Sequence, residues 1–343
     1  MFLFVLFSFS LSFSDTIGLS NIPDTIPVYL TQDFPPNNKV AISKNGGIFI
    51  VEHVIKAQKS FLFHFDSKGT FQSFIGKQGE APEEYSFPVW DIRCNGDTVF
   101  AFSGRKLTMY THNGKFINSA LLKDVPNIRD GVLFSKKNIF IYGLSWDYNY
   151  DKKLYIMKNC IFEYSRNNFK SIGSFFTPPI SSEFFDAGLG HCGFCGDIDN
   201  NKIWLVKRPL PQIFVIDIGT KRLEKTLKLK IRGFKRVKLV DTERWKREGI
   251  FNDTDKFMSA LEGWSNALSF IDNLLYIKDS GLWVLDYRDY SNGKKTHYLV
   301  IIDKKGRVLN KMGIPGRLLT IDKNNRLYFA LNDTTLLKGT LVK

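Results

Sequence analysis

An apolar run, a tight polar turn, a second apolar run and then a corner of the type Asp-x-x-Gly-x-Phe recur along this 343-residue chain. The first half of the phrase occupies residues 40–51, 91–100, 133–142, 198–206, 277–285 and 319–329. The second half occupies 63–71, 109–116 and 300–308, with weaker copies at 162–169 and 214–220. Runs rich in Val, Ile, Phe and Tyr suit strands sandwiched between neighbouring sheets. The Asn-Gly and Asp-x-x-Gly corners supply residues that tolerate positive φ, which tight hairpins require. One such sheet cannot bury both of its faces, so the units must pack radially on one another, as in a β-propeller.

First-hairpin turns fall near Asn45, Asn95, Asn138, Asn200, Ser280 and Asn324. The expected fold class is therefore all-β, a six-bladed β-propeller of four-stranded antiparallel blades. The turns are spaced by roughly 40 to 60 residues, except where an insertion lengthens the fifth blade. That insertion, near 241–266, reads as two short helical pieces. Phe257, Leu261 and Trp264 lie on one helical face, and Asp253 or Thr254 is placed to cap it. The sixth blade reaches only its third strand before the chain ends. Its outer strand is expected from the N-terminus near 26–31, where Pro27 suits an outermost strand and not a central one.

The linker from Ile75 through Gly76, Gly79, Pro82 and Tyr85 to Pro88 resembles the NHL-type repeat. More closely it is similar to the exported, TolB-like six-bladed propellers of bacteria, in which Ile-Gly-x-x-Gly-x-x-Pro-Gly-Glu-Tyr joins consecutive blades. Glu83 stands where that pattern has a glycine, and only this linker keeps the full motif. The resemblance implies architecture; propellers host binding and catalysis alike.

The composition, 43% hydrophobic with 31 Phe, is that of a globular protein with a large core. Residues 1–14 form an apolar stretch ending in small residues, which reads as a signal-peptide core too short to span a membrane. A single propeller domain over 15–343 would follow it. The apolar stretch has neither a preceding basic residue nor an Ala-x-Ala cleavage site, which leaves two alternatives, a start codon assigned too late or a buried first strand, and no cysteine follows it as a lipid anchor. The expectation is a soluble exported protein, periplasmic or extracellular, with no transmembrane span and a monomeric state.

Export leaves the four cysteines free to oxidise. Cys192 and Cys195 form a CxxC preceded by His191, the reverse of the c-type haem order. Zinc needs about four ligands and these residues supply three. A local disulfide between Cys192 and Cys195, bracing the linker into the fourth blade, is expected. Cys94 reads as plain core.

The formal charge is +14, and residues 221–248 hold twelve basic against four acidic residues. This strip reads as a solvated face, or else as a contact for an anionic surface such as lipid or polysaccharide. It lacks interleaved stacking aromatics, which argues against nucleic acid.

Propeller geometry gathers the entering linkers and the loops between second and third strands around one mouth of the central channel. The candidates there are Arg105, Arg129, Trp146, His191, Arg208, Arg288 and Arg317. Five arginines in this set would line a mouth able to hold carboxylate or phosphate. No histidine triad, calcium set or Gly-x-Ser-x-Gly elbow is present, so no catalytic residue is assigned and no cofactor is expected. The expected function is non-enzymatic binding of a protein or an envelope-associated, anionic ligand at the mouth. The alternative is a metal-assisted lactonase or lyase of the six-bladed superfamily, which would need Ca or Zn in an oxygen-lined site on the axis.

Overall fold

The second strand of each unit carries a run of four apolar residues, because both faces are covered. Val99 and Ala101 face one neighbour while Phe100 and Phe102 face the other, so one strand feeds two separate cores. The computed structural model describes residues 9–22, 28, 40–54, 57–123, 128–143, 146–149, 154–157, 160–177, 192–208, 210–235, 242–291 and 294–342.

The chain opens with β1 (Ser10–Gly18). Blade one is β2 (Val40–Ile42), β3 (Ile48–Val54), β4 (Lys59–Phe65) and β5 (Phe71–Phe74). Blade two is β6 (Val89–Asn95), β7 (Thr98–Ser103), β8 (Lys106–Thr111) and β9 (Phe116–Leu121). Blade three combines β10 (Ile128–Phe134) and β11 (Asn138–Gly143) with β14 (Ile161–Ser165) and β15 (Ser171–Phe175). A separate hairpin, β12 (Trp146–Asn149) with β13 (Leu154–Met157), projects from its middle loop and has no counterpart in the sequence reading. Blade four is β16 (Cys192–Asp197), β17 (Lys202–Lys207), β18 (Gln212–Asp217) and β19 (Arg222–Lys228). Helices α1 (Thr242–Arg247) and α2 (Thr254–Asn266) follow, as the insertion predicts. Asp253 caps α2, its Oδ1 accepting from the amides of Asp255 and Lys256 at 3.0 and 3.1 Å. Blade five is β20 (Ser269–Ile277), β21 (Leu282–Ser291), β22 (Lys294–Ile302) and β23 (Val308–Ile314). Blade six is β24 (Arg317–Ile321), β25 (Leu327–Asn332) and β26 (Thr335–Val342), completed by β1.

All six sheets are four-stranded and antiparallel, and each inner strand neighbours the next until β24 returns to β2. Six apolar clusters fill the six blade interfaces. One joins Leu319 and Tyr328 of blade six to Val40 and Phe63 of blade one and so closes the ring.

The closing strand comes from the N-terminus as expected, but from a different segment. Beside β26 lies β1, Ser10–Gly18, and not 26–31. Of the expected segment only Val28 falls within the described residues. Its physical advantage is that β1 serves both adjoining cores: Ile17 is buried in the interface with blade one, and Leu11 packs into the interface with blade five. Lys338 also pairs with Asp15. The segment read as a signal, 1–14, therefore overlaps β1 from Ser10 onward, while residues 1–8 lie outside the described residues.

The repeated corners behave as their chemistry dictates. Asp66 Oδ1 accepts from the amides of Lys68 and Thr70, and Asp303 Oδ1 does the same for Lys305 and Arg307. Gly69 has φ +90°, and a Cβ there would stand 2.4 Å from the carbonyl oxygen of Gly18. The one full blade linker is similarly tight. The Tyr85 hydroxyl donates to the Ser60 carbonyl at 3.1 Å, and a Cβ on Gly79 would meet Glu84 Oε2 at 2.0 Å.

Candidate ligand-binding mouth

After Ser269, inner strand β20 is interrupted by charge or amide only at Asp272 and Asn273, and its register against β21 shifts between Ile271 and Asn273. A bulge of this kind re-aims the extra residue, here Asp272. The Ile271 amide donates to the Arg208 carbonyl at 2.9 Å, which fixes the loop after β17 beside the bulge. Arg208 Nη2 then donates to Asp272 Oδ1 at 2.8 Å.

On β21, Asp286 and Arg288 are two residues apart and share a face. Arg288 is directly opposite His297 of β22. Arg288 Nε lies 3.6 Å from Asp272 Oδ2, and His297 Nδ1 shares a hydrogen bond with Asp286 Oδ1 at 3.2 Å. The sixth blade joins through its first residues. Asp286 Oδ2 accepts from the Leu318 amide at 2.9 Å, and Asn273 Nδ2 donates to the carbonyls of Leu318 and Leu319. A Cβ on Gly316 would stand 1.7 Å from the Ala330 carbonyl oxygen, so only glycine lets the linker press this close and deliver Arg317. The Phe270 ring lies 6.0 Å from the Arg208 guanidinium and 5.4 Å from that of Arg288. At the rim, Lys235 Nζ pairs with Asp289 Oδ1 at 2.9 Å.

All six charged or titratable members of this cluster are buried. Burial raises the Asp272 carboxyl, but the charges of Arg288, Arg208, Arg317 and His297 outweigh it and hold Asp272 well below the usual carboxylate range. Asp272 is therefore ionised at any physiological pH. Three guanidiniums against two carboxylates leave the cluster positive.

Asp272, Asp286 and His297 each offer a ligand atom within 4.8 Å of the others, a spacing that metal binding requires. The donor set fits a metal poorly, because both Asp272 oxygens face guanidiniums. At an effective dielectric of 20, each unit charge at 4 Å opposes an incoming cation by about 4 kcal/mol.

Three of the seven predicted mouth residues, Arg208, Arg288 and Arg317, thus converge, and they come from three blades. Arg105 is exposed in the β7–β8 turn and makes no ion pair among the described residues. Arg129 lies where the register of β10 breaks, the place that Asp272 holds in β20, and Trp146 opens β12. The side chains of both, and the whole of His191, lie outside the described residues.

The expected Cys192–Cys195 disulfide is not formed: Cys195 is a free, buried thiol. Both cysteines belong to extended β16 and not to a loop. Residues three apart in a strand are about 10 Å apart at Cα, beyond the roughly 7 Å reach of a disulfide.

Asp272, Asp286 and His297 went unread in the sequence. The available signal was Asp272-Asn273 interrupting an otherwise apolar inner strand, since a buried charge in such a run needs charged partners nearby.

No protein-family model matches the sequence, and no curated protein matches it. Solved structures do. A member of the DUF4221 family from Bacteroides vulgatus is similar at a TM-score of 0.65 with 11% identity, over 97% of this chain and 98% of that one. A predicted exported protein from Bacteroides fragilis reaches 0.57 at 13% identity, covering 98% and 96%. A protein of unknown function from Bacteroides caccae reaches 0.50 at 14%, covering 91% and 88%. At these identities the likeness establishes one thing, a shared six-bladed β-propeller fold.

Proposed function

We propose that this protein is an exported, non-enzymatic propeller of the NHL and TolB-like type that binds an anionic group of a protein or envelope-associated ligand at its channel mouth. The observation that carries the reading is the convergence of Arg208, Arg288 and Arg317 on Asp272 beside the mouth-side ends of β20 and β24. Guanidiniums held in place by a buried carboxylate are already ordered, so little side-chain entropy is lost when an anion arrives. Export is supported by the apolar residues 1–14 and by the likeness to the predicted exported protein of Bacteroides fragilis. Among the described residues no helix is long and apolar enough to cross a membrane.

A second reading, a lactonase or lyase using Ca or Zn, rests on the Asp272, Asp286 and His297 spacing, with the surrounding arginines against it. The primary reading is tested by crosslinking wild type and Arg288→Glu to an envelope extract. Wild type is expected to retain a partner that citrate displaces and that the variant fails to hold. A clean monomer from both proteins contradicts the reading.

A further inference from the structure

Between the outer edges of blades four and five runs a groove of about 490 Å³, lined by Pro211, Leu229, Lys230, Ile231, Arg232 and Phe234. It is separate from the mouth cluster and shares no residue with it. Its floor is apolar, since Leu229 and Ile231 belong to the core between these blades and Phe234 packs on Tyr287 at 5.4 Å. Its rim is cationic. Lys228, Lys230 and Arg232 are exposed. Lys311 reaches in from β23, donating to the Arg232 carbonyl at 2.9 Å and lying 4.2 Å from the Tyr298 ring centroid. Burial holds Lys311 below the ordinary lysine value, so this cation is already partly stripped of water.

The pairing pattern distinguishes this rim from the rest of the basic strip. Within the strip Lys221, Lys225, Lys235 and Arg244 have carboxylate partners: Glu163, Glu224, Asp289 and Glu248. No carboxylate of the described residues lies within ion-pair distance of Lys228, Lys230, Arg232 or Lys311. Arg222 and Arg247 also lack a carboxylate partner among the described residues, but only Lys228, Lys230 and Arg232 stand together, with Lys311, where an apolar cleft opens. A polysaccharide would use the charge and leave the apolar floor idle. An anionic head group carried on an acyl chain uses both.

We propose that this groove seats an anionic lipid, its head group between Lys230, Arg232 and Lys311 and its chain against Leu229, Ile231 and Phe234, so that the rim of blades four and five rests on an anionic bilayer. The probe is sedimentation of the full chain with phosphatidylglycerol vesicles, with phosphatidylcholine vesicles, heparin and inorganic phosphate as comparison arms. Basic residues near such a surface each contribute about 1 kcal/mol, so Lys230→Glu/Arg232→Glu is expected to weaken phosphatidylglycerol binding about thirtyfold or more. The charge-matched pair Lys136→Glu/Lys137→Glu, on the exposed first turn of blade three, is expected to leave most of the binding intact. Both pairs are solvent-exposed, and circular dichroism confirms their folding. Equal loss in the two variants would reduce the effect to net charge and overturn the proposal. So would equal binding to phosphatidylcholine, full competition by free phosphate, or heparin binding without vesicle binding.

Discussion

Asp272 is buried beside two guanidiniums, a position in which a carboxylate is retained only if its charge is matched. Removing it strands those guanidiniums, so Asp272→Ala is expected to lose about 3–5 kcal/mol of stability in urea titrations. The pH dependence follows from the lowered pKa of Asp272. A depressed folded-state value means that the stabilisation is complete above the unfolded carboxylate value, near 3.9, and is lost as pH falls from there toward the folded value. Wild type is thus expected to lose stability steeply below about pH 4, and Asp272→Asn to show a shallower acid limb. Matching slopes would contradict this. The thiols make a second residue-scale test. Burial pushes Cys94 and Cys160 up to about 12 and raises Cys195 further. All three are expected to resist iodoacetamide in native protein at pH 8, as read by peptide mass mapping, and to react once unfolded. A mapped Cys192–Cys195 bridge would refute the strand assignment.

Among the elements, β1 has the clearest consequence. It covers the edge of β26 and supplies Leu11 and Ile17 to two blade interfaces. Deleting residues 1–18 is expected to lower the melting temperature and promote self-association through the bared β26 edge, read by light scattering. An unchanged melt and a monodisperse monomer would mean that β1 closes nothing. The sequence reading anticipated an N-terminal closing strand because a count of blade-six strands comes out one short. Pro27 marks 26–31 as an outer edge, whereas β1 starts inside an apolar stretch that reads first as a leader and only second as a buried strand. The β12–β13 hairpin was equally invisible, since it belongs to no repeated unit. The helices were legible because Phe257, Leu261 and Trp264 hold a helical period and Asp253 sits at a cap position.

Across the whole molecule, what repeats or keeps a local period was readable, and what depends on contacts between blades was not. Turn chemistry at Asn45, Asn95 and Asn324 recurs blade by blade, so the ring follows from counting. The arginines of this cluster were legible as a class because they fall where each blade was expected to turn, although Arg288 and Arg317 sit on β21 and β24 themselves. Their partner was not, because Asp272 acquires its role through a register shift in β20 and through residues from three blades. The chain as a whole presents a positive mouth and, at one rim, a positive apolar groove, which fits its +14 charge. The central claim is that the mouth receives an anion and not a metal ion. Isothermal titration calorimetry on the intact protein decides between them, with citrate in one set and calcium or zinc chloride in the other. Citrate is expected to bind with an affinity that falls as salt rises, and Arg288→Gln to abolish that binding, while neither metal gives a saturable signal. Saturable calcium or zinc binding lost in Asp272→Asn, with no heat from citrate, would contradict the account.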